Sequence, residues 1–105
     1  IAHELGAALN VNADDAAAAI AIAIEAEELL IISDVPGVLV DDEPLPRLTL
    51  GEARDLLRDG LATGGMRAKL QASVAAAAGG VRRVRITDLD GIKDRTRGTV
   101  IENTE

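Results

Sequence analysis

The chain has 105 residues, among them no cysteine, no aromatic residue and one histidine, His3. Disulfides and thiolate zinc sites are therefore excluded, and a single histidine cannot build a multi-histidine metal centre. The missing aromatics argue against the stacking platforms of single-stranded nucleic-acid binders, and they leave the core to aliphatic side chains. The formal net charge of −7 argues against a nucleic-acid partner, because a phosphate backbone selects a basic surface.

Long hydrophobic runs are also lacking. The longest apolar stretch, residues 16–24, is too short to span a bilayer, so we expect no membrane partner and a cytoplasmic location. The P-loop and the dinucleotide fingerprint are both absent. The chain has 48% hydrophobic and 28% charged residues, and its length suits one globular domain, residues 1–105. It begins at Ile1 rather than methionine, from which we expect a processed, excised or truncated chain.

Helix and strand patterns alternate along the first half of the sequence. Residues 1–9 read as the tail of a strand and a turn, and the alanine-rich residues 13–26 predict a helix. The continuous apolar run 29–33 predicts a buried parallel strand. Residues 41–46 predict a surface hairpin or excursion, flanked by residues 38–40 and 47–48. Such alternation predicts an α/β fold, a three-layer sandwich with a mainly parallel sheet covered on both faces.

The second half continues this alternation. Thr49 and Glu52 have the spacing of a capping box, which predicts a helix beginning there. A further helix is expected after Thr63, and residues 81–87 predict a strand with Val84 on one face and Arg85 on the other. The polar residues 88–97 predict a loop before a last short strand at 98–101.

Two stretches stand beside predicted helix starts and invite a functional interpretation. Asn12 is a preferred N-cap and Asp14 falls in the first turn, so this stretch either only begins a helix or projects Asn10 and Asp14 into a site. In the second stretch, Gly64 and Gly65 free backbone amides for an anion. Lys69 follows closely, where the helix dipole disfavours a cation, so it is either a solvated lysine or a functional one.

With these pieces placed, the sequence resembles the amino-acid kinase superfamily and, within it, the acetylglutamate kinases. Three separated motifs carry the resemblance, in the family's order: Asn10-Val11-Asn12-Ala13-Asp14, Ser33-Asp34-Val35-Pro36-Gly37-Val38 and Gly64-Gly65-Met66-Arg67-Ala68-Lys69. The closing Gly98-Thr99-Val100-Ile101 is similar to the family's final strand. The resemblance covers nearly the whole chain and implies that it is the C-terminal, nucleotide-binding half of such a kinase.

The resemblance implies ATP-dependent phosphorylation of the side-chain carboxylate of N-acetylglutamate, a step of arginine biosynthesis. The residue matching Lys69 would stabilise charge on the transferring phosphoryl group, and the one matching Asp14 would orient catalytic lysines. Asn10 and Asn12 would bind the substrate, Asn10 at its α-carboxylate. Mg²⁺ would be carried by the nucleotide's phosphates, with no metal ligand from the chain itself. The nucleotide-binding residues implied are Asp34, Val35, Pro36, Gly37, Val38, Leu39, Leu61, Ala62 and Thr63.

The sequence also departs from the family pattern. The family's N-terminal half has no counterpart, so we expect this chain alone not to be a competent kinase. Its expected partner is a missing N-terminal half or a second copy in a homo-oligomer. Glu25 stands where the family usually ends its first helix with glycine, and a usual helix between Asp88 and Gly98 is replaced by a loop. Three alternatives stay open: a silent nucleotide- or amino-acid-binding module, a scaffold fragment that binds nothing, and a kinase of carrier-linked aminoadipate.

Overall fold

A computed structural model describes residues 12–104 of the chain. The predicted strand and turn at residues 1–9, and the candidate residue Asn10, lie outside the described residues. Three α-helices, six strands and one 3₁₀ helix follow within them. Their bounds are α1 Ala13–Ala23, β1 Glu28–Ile32, β2 Leu39–Val40, β3 Glu43–Pro44, β4 Arg47–Thr49, α2 Leu50–Arg58, α3 Gly64–Ala78, β5 Arg83–Thr87, the 3₁₀ helix Leu89–Ile92 and β6 Thr99–Glu102.

Four of the strands form one sheet in the order β1-β5-β6-β4. β1 pairs parallel with β5 and β4 pairs parallel with β6, whereas β5 and β6 are antiparallel. The prediction of an α/β fold with a mainly parallel sheet is confirmed. β2 and β3 form a surface hairpin within the stretch where the sequence predicted one, and its two turn residues, Asp41 and Asp42, both have positive φ. The flanking strands differ from those predicted, because residues 47–49 do not pair with β2 but join the main sheet as β4. Positive φ at both positions marks the turn type whose twist suits a two-residue hairpin.

Small side chains bring the helices close together on one face of the sheet. In α3, Ala72, Ala76 and Ala77 are fully buried, and this helix packs against α1, α2 and the central strand β5. The fit between α1 and α3 is tight: a Cβ added at Gly79 would lie 2.5 Å from Cδ1 of Ile22. Alanine is the strongest helix former, and its small side chain lets two helices approach closely. The high alanine content therefore favours both the formation of these helices and their close packing.

Arg85 organises the cover over the opposite face of the sheet. Its side chain points away from that of Val84, as predicted, but it is buried, with 1% of its surface exposed. Its Nη1 donates to the carbonyl oxygens of Gly91 at 2.7 Å, Asp94 at 3.1 Å and Arg97 at 2.8 Å. The segment 88–97 therefore folds over a buried guanidinium, and it contains a short 3₁₀ helix where the sequence indicated only a loop.

An ion pair closes the ends of that segment. Arg97 donates from Nε and Nη2 to the two carboxylate oxygens of Asp88, each at 2.6 Å. These hydrogen bonds, more than the accompanying charge attraction, hold the pKa of the Asp88 carboxyl below its usual range. They also raise the pKa of Arg97. Asp88 and Arg97 are thus both charged at neutral pH, and the segment between them is held as a closed loop.

The helix-start signals in the sequence are confirmed. Oδ1 of Asn12 accepts the backbone N–H of Asp14 at 2.8 Å, and Thr49 and Glu52 form both bonds of the capping box. The end of α1 was predicted less well: the helix stops at Ala23 rather than near residue 26. Among residues 12–104, no helix is long and apolar enough to cross a bilayer.

The residue that ends α1 is strained. Glu25 has φ of +55°, a left-handed conformation that non-glycine residues adopt at a cost of about 1 kcal/mol. We expect Glu25→Gly to raise the free energy of unfolding by about 0.5 kcal/mol, because glycine removes the strain but loses more entropy on folding. Urea unfolding followed by far-ultraviolet circular dichroism measures the change. Glu25→Ala is the matched control, since it removes the charge and keeps the strain; equal gains in both variants would rule out strain as the cause.

Candidate functional site

An ion pair joins the starts of two helices that are far apart in sequence. Nζ of Lys69 in α3 lies 3.1 Å from Oδ2 and 3.4 Å from Oδ1 of Asp14 in α1. The two side chains are 22% and 21% exposed, so both are largely screened from solvent by the protein. Asp14 occupies the first turn of α1, where the helix dipole favours a carboxylate. It therefore offsets the unfavourable position of Lys69 near the start of α3.

The topology places this pair at the carboxyl edge of the sheet. α1 runs into β1 and α3 runs into β5, so the start of each helix lies level with the end of the strand that follows it. β1 and β5 are parallel, which brings both helix starts to the same edge. Ligands of open α/β sheets bind outside the carboxyl ends of the strands, and the pair of Lys69 and Asp14 occupies such a place.

The start of α3 leaves its first amides uncapped. Thr63 stands at the N-cap position and makes no side-chain capping hydrogen bond. Gly64 has φ of +56°, and beyond the adjoining backbone no described atom lies within 4 Å of the position that a Cβ would take at Gly64 or Gly65. Uncapped amides at the positive end of a helix, with open space before them and Lys69 one to two turns away, suit an anionic group such as a phosphate.

Beside this helix start lies an apolar cavity of about 180 Å³. One wall is the connection between β1 and β2, and the other is the segment that links α2 to α3. Its lining residues are Val35, Gly37, Val38, Leu39, Val40, Leu56, Leu61, Ala62, Thr63 and Met66. An engineered apolar cavity of roughly 150 Å³ binds benzene, so this volume suits one flat ring rather than a whole nucleotide.

The structure brings together most residues that the sequence indicated for nucleotide binding. Val35, Gly37, Val38 and Leu39 line one wall of the cavity and residues 61–63 line the other. Asp34 and Pro36 belong to the same connection but do not line the cavity; Asp34 is exposed and accepts a hydrogen bond from Ser33 Oγ at 3.4 Å.

The residues indicated for substrate binding are placed less directly. Asn12 is exposed, and its side-chain oxygen is engaged in capping α1. Asn10 lies outside the described residues. Asp14 and Lys69, the two residues indicated for catalysis, contact each other.

Sequence reasoning missed part of the cavity. Val40 and Leu56 line it from β2 and α2, and Met66 both packs against the core and lines the cavity. Thr99 was read only as part of a strand, yet its hydroxyl accepts the N–H of Val38 in the cavity wall at 2.9 Å. Met66 precedes Lys69 by three residues on one helix, a spacing that would have linked the cavity to the ion pair.

Metal binding by the chain itself has no support from residues 12–104. No group of three or more histidine, cysteine, aspartate or glutamate side chains in this part of the chain could hold a metal ion. The anion-suited helix start and the ring-sized apolar cavity do fit the two ends of a nucleotide. Any divalent cation would then be held mainly by the phosphates it accompanies.

Comparison with known proteins identifies relatives of this chain. The model of the amino acid kinase family matches residues 1–88. An acetylglutamate kinase of Roseiflexus castenholzii is 48% identical over 92 residues, which are 88% of this chain and 35% of that protein. An acetylglutamate kinase of Rubrobacter xylanophilus is 57% identical over 74 residues, 70% of this chain and 29% of that protein. The chain thus spans about a third of the length of these relatives.

A solved structure shares the fold as well. The N-acetylglutamate synthase of Neisseria gonorrhoeae, in a crystal structure with coenzyme A and N-acetyl-glutamate, superimposes with a TM-score of 0.80 at 28% identity. The match covers 91% of this chain and 24% of that protein. The fold that positions Lys69 and Asp14 is therefore shared with a protein that is named a synthase rather than a kinase.

Proposed function

The chain belongs to the amino acid kinase family, and from that premise we propose that it is the nucleotide-binding portion of an acetylglutamate kinase. The whole protein would transfer a phosphoryl group from ATP to the side-chain carboxylate of N-acetylglutamate, giving an acyl phosphate on the route to arginine. A cytoplasmic location belongs to the same proposal. Acetylglutamate kinases that match this chain support it, among them those of Roseiflexus castenholzii and Rubrobacter xylanophilus, as does the arrangement of the described residues.

The observation that carries the proposal is the contact of Asp14 with Lys69, on the helix whose start lines the cavity. Phosphoryl transfer depends mainly on positioning and on electrostatic stabilisation, so it needs a fixed cation at the phosphates rather than a strong nucleophile. Asp14 holds the Lys69 ammonium at one point through their ion pair. Lys69 would stabilise negative charge on the transferring group, while the free amides of Gly64 and Gly65 approach the phosphates.

The cavity would hold the base of the nucleotide. Its lining is mainly apolar, with Val38 and Ala62 on opposite walls, and its volume of about 180 Å³ suits a flat ring. ATP would supply the phosphoryl group, with Mg²⁺ carried on its phosphates. Asn10 and Asn12 would contact the acceptor substrate, Asn10 at its α-carboxylate, as in the family that the sequence resembles.

Calorimetric titration with Mg-ATP and with adenosine tests this assignment. In Lys69→Ala we expect ATP affinity to fall about tenfold, the equivalent of one charge-assisted hydrogen bond, with adenosine affinity unchanged. Asp14→Asn should reduce ATP affinity less, because the lysine remains. Lys93→Ala is the matched control, since Lys93 is an exposed lysine on the 3₁₀ segment. No binding by folded wild-type chain, or an equal loss in Lys93→Ala, would contradict the proposal.

A second candidate is a module that binds an amino acid without phosphorylating it. The fold shared with an N-acetylglutamate synthase favours this candidate, since that protein's crystal structure contains N-acetyl-glutamate. Trapping of an acyl phosphate with hydroxylamine separates the two candidates. Binding of N-acetylglutamate that ATP does not affect, with no hydroxamate formed by the full-length protein, would favour the silent module. Hydroxamate formed only from a carrier-linked aminoadipate would assign a different acceptor.

A further inference from the structure

The hydroxyl of Thr99 stands where three parts of the chain meet. Thr99 begins β6, and its side chain is fully buried. Its Oγ1 accepts the backbone N–H of Val38 at 2.9 Å and donates to the carbonyl oxygen of Leu45 at 2.5 Å. Val38 and Leu45 are also bonded to each other, since the N–H of Leu45 donates to the carbonyl of Val38 at 2.9 Å. These three bonds close the base of the β2–β3 hairpin onto the sheet.

The same hydroxyl sets how closely the cavity wall approaches the sheet. A Cβ added at Gly37 would lie 2.7 Å from Thr99 Oγ1 and 3.2 Å from the backbone nitrogen of Thr99. The backbone at Gly37 therefore lies directly against the start of β6. The wall formed by residues 35–40 is held from behind by Thr99, while its front lines the cavity.

From this geometry we propose that Thr99 is a positioning residue for the ring-binding cavity. It does not line the cavity; it acts by fixing the Val38 amide, and with it the wall of residues 35–40. The inference rests on the proposed function, because the ligand it invokes is the base of the nucleotide. Without the hydroxyl, the Val38 N–H and the Leu45 carbonyl would be buried without this partner, and the wall would shift to reach another.

The neighbouring strand supplies a matched control. Thr87 at the end of β5 is also fully buried, and its Oγ1 has no hydrogen-bond partner among residues 12–104. Thr87→Val and Thr99→Val thus make the same isosteric change at buried positions on the neighbouring strands β5 and β6. Only the second breaks a bond to the cavity wall. Thr87→Val therefore reports the effect of the isosteric change alone at a buried position of this sheet.

The test combines adenosine titration with amide hydrogen exchange at Val38. In Thr99→Val we expect adenosine affinity to fall about fivefold, as for the loss of one hydrogen bond, and the Val38 amide to exchange faster. Thr99→Ser keeps the hydroxyl and should restore both properties, and Thr87→Val should change neither. If Thr99→Val does not fold, Gly37→Ala is used instead. Its added Cβ would push the wall away from Thr99, so the Val38 amide is expected to exchange faster in that variant.

The outcomes separate the two proposals. Wild-type chain that does not bind adenosine would overturn the nucleotide assignment, and the role of Thr99 with it. Adenosine bound equally by the wild type and Thr99→Val would overturn the role of Thr99 alone. The same conclusion would follow from Val38 exchange that is unchanged in Thr99→Val, or in Gly37→Ala where that variant is used.

Discussion

Gly98→Ala is expected to lower the free energy of unfolding by about 3 kcal/mol, from backbone strain and overpacking together. Gly98 has φ of +100°, a conformation that is strained for any residue with a Cβ. The added Cβ would also lie 2.5 Å from the carbonyl oxygen of Ile86 and 2.7 Å from Cβ of Thr87. The backbone of β5 cannot move away, because β5 is paired on both sides.

Gly60→Ala separates the two causes. Gly60 also has positive φ, +73°, but apart from its own chain neighbours no atom of residues 12–104 lies within 4 Å of the position of an added Cβ. This variant should lose only about 1 kcal/mol, the cost of strain alone. Urea unfolding is followed by far-ultraviolet circular dichroism, because the chain has no tryptophan or tyrosine to report by fluorescence. Equal losses in the two variants would show that the contact with β5 relaxes freely.

Arg85→Met is expected to cost about 3 kcal/mol of unfolding free energy, in the range for breaking a buried network of charged hydrogen bonds. Methionine fills a similar volume but donates no hydrogen bond. The carbonyl oxygens of Gly91, Asp94 and Arg97 would then lose the donor on which segment 88–97 folds.

The control for Arg85→Met is Arg82→Met, which makes the same substitution at an exposed arginine. Arg82 has 81% of its side chain exposed and lies 3.8 Å from Glu27, so its loss should change stability by less than about 0.5 kcal/mol. Both variants remove one positive charge, which cancels the effect of net charge. An unchanged or raised stability in Arg85→Met would mean that the three carbonyls find water, and that the burial cost of the guanidinium had offset its bonds.

The local elements follow from the sequence because their signals are local. Asn12 caps α1, Thr49 and Glu52 cap α2, and the alternation of Val84 and Arg85 sets the faces of β5. Each of these signals acts over a few residues, so it can be recognised from the sequence alone. Glu25 shows the limit of such reasoning: the sequence marked an unusual residue at a helix end, and the structure keeps the left-handed turn despite it.

The candidate site, unlike the helices and strands, depends on contacts between residues that are distant in sequence. Three motifs, read through a resemblance, named Asp14, Lys69 and most lining residues of the cavity, but spacing alone left each with a purely structural alternative. Asp14 and Lys69 are 55 residues apart, and only the parallel pairing of β1 with β5 brings their helix starts together. The burial of Arg85, the antiparallel pairing of β5 with β6 and the bond from Val38 to Thr99 were decided by the tertiary structure. Each joins groups that are distant in sequence, and the amino-acid types at the two ends do not specify which partner the fold will supply.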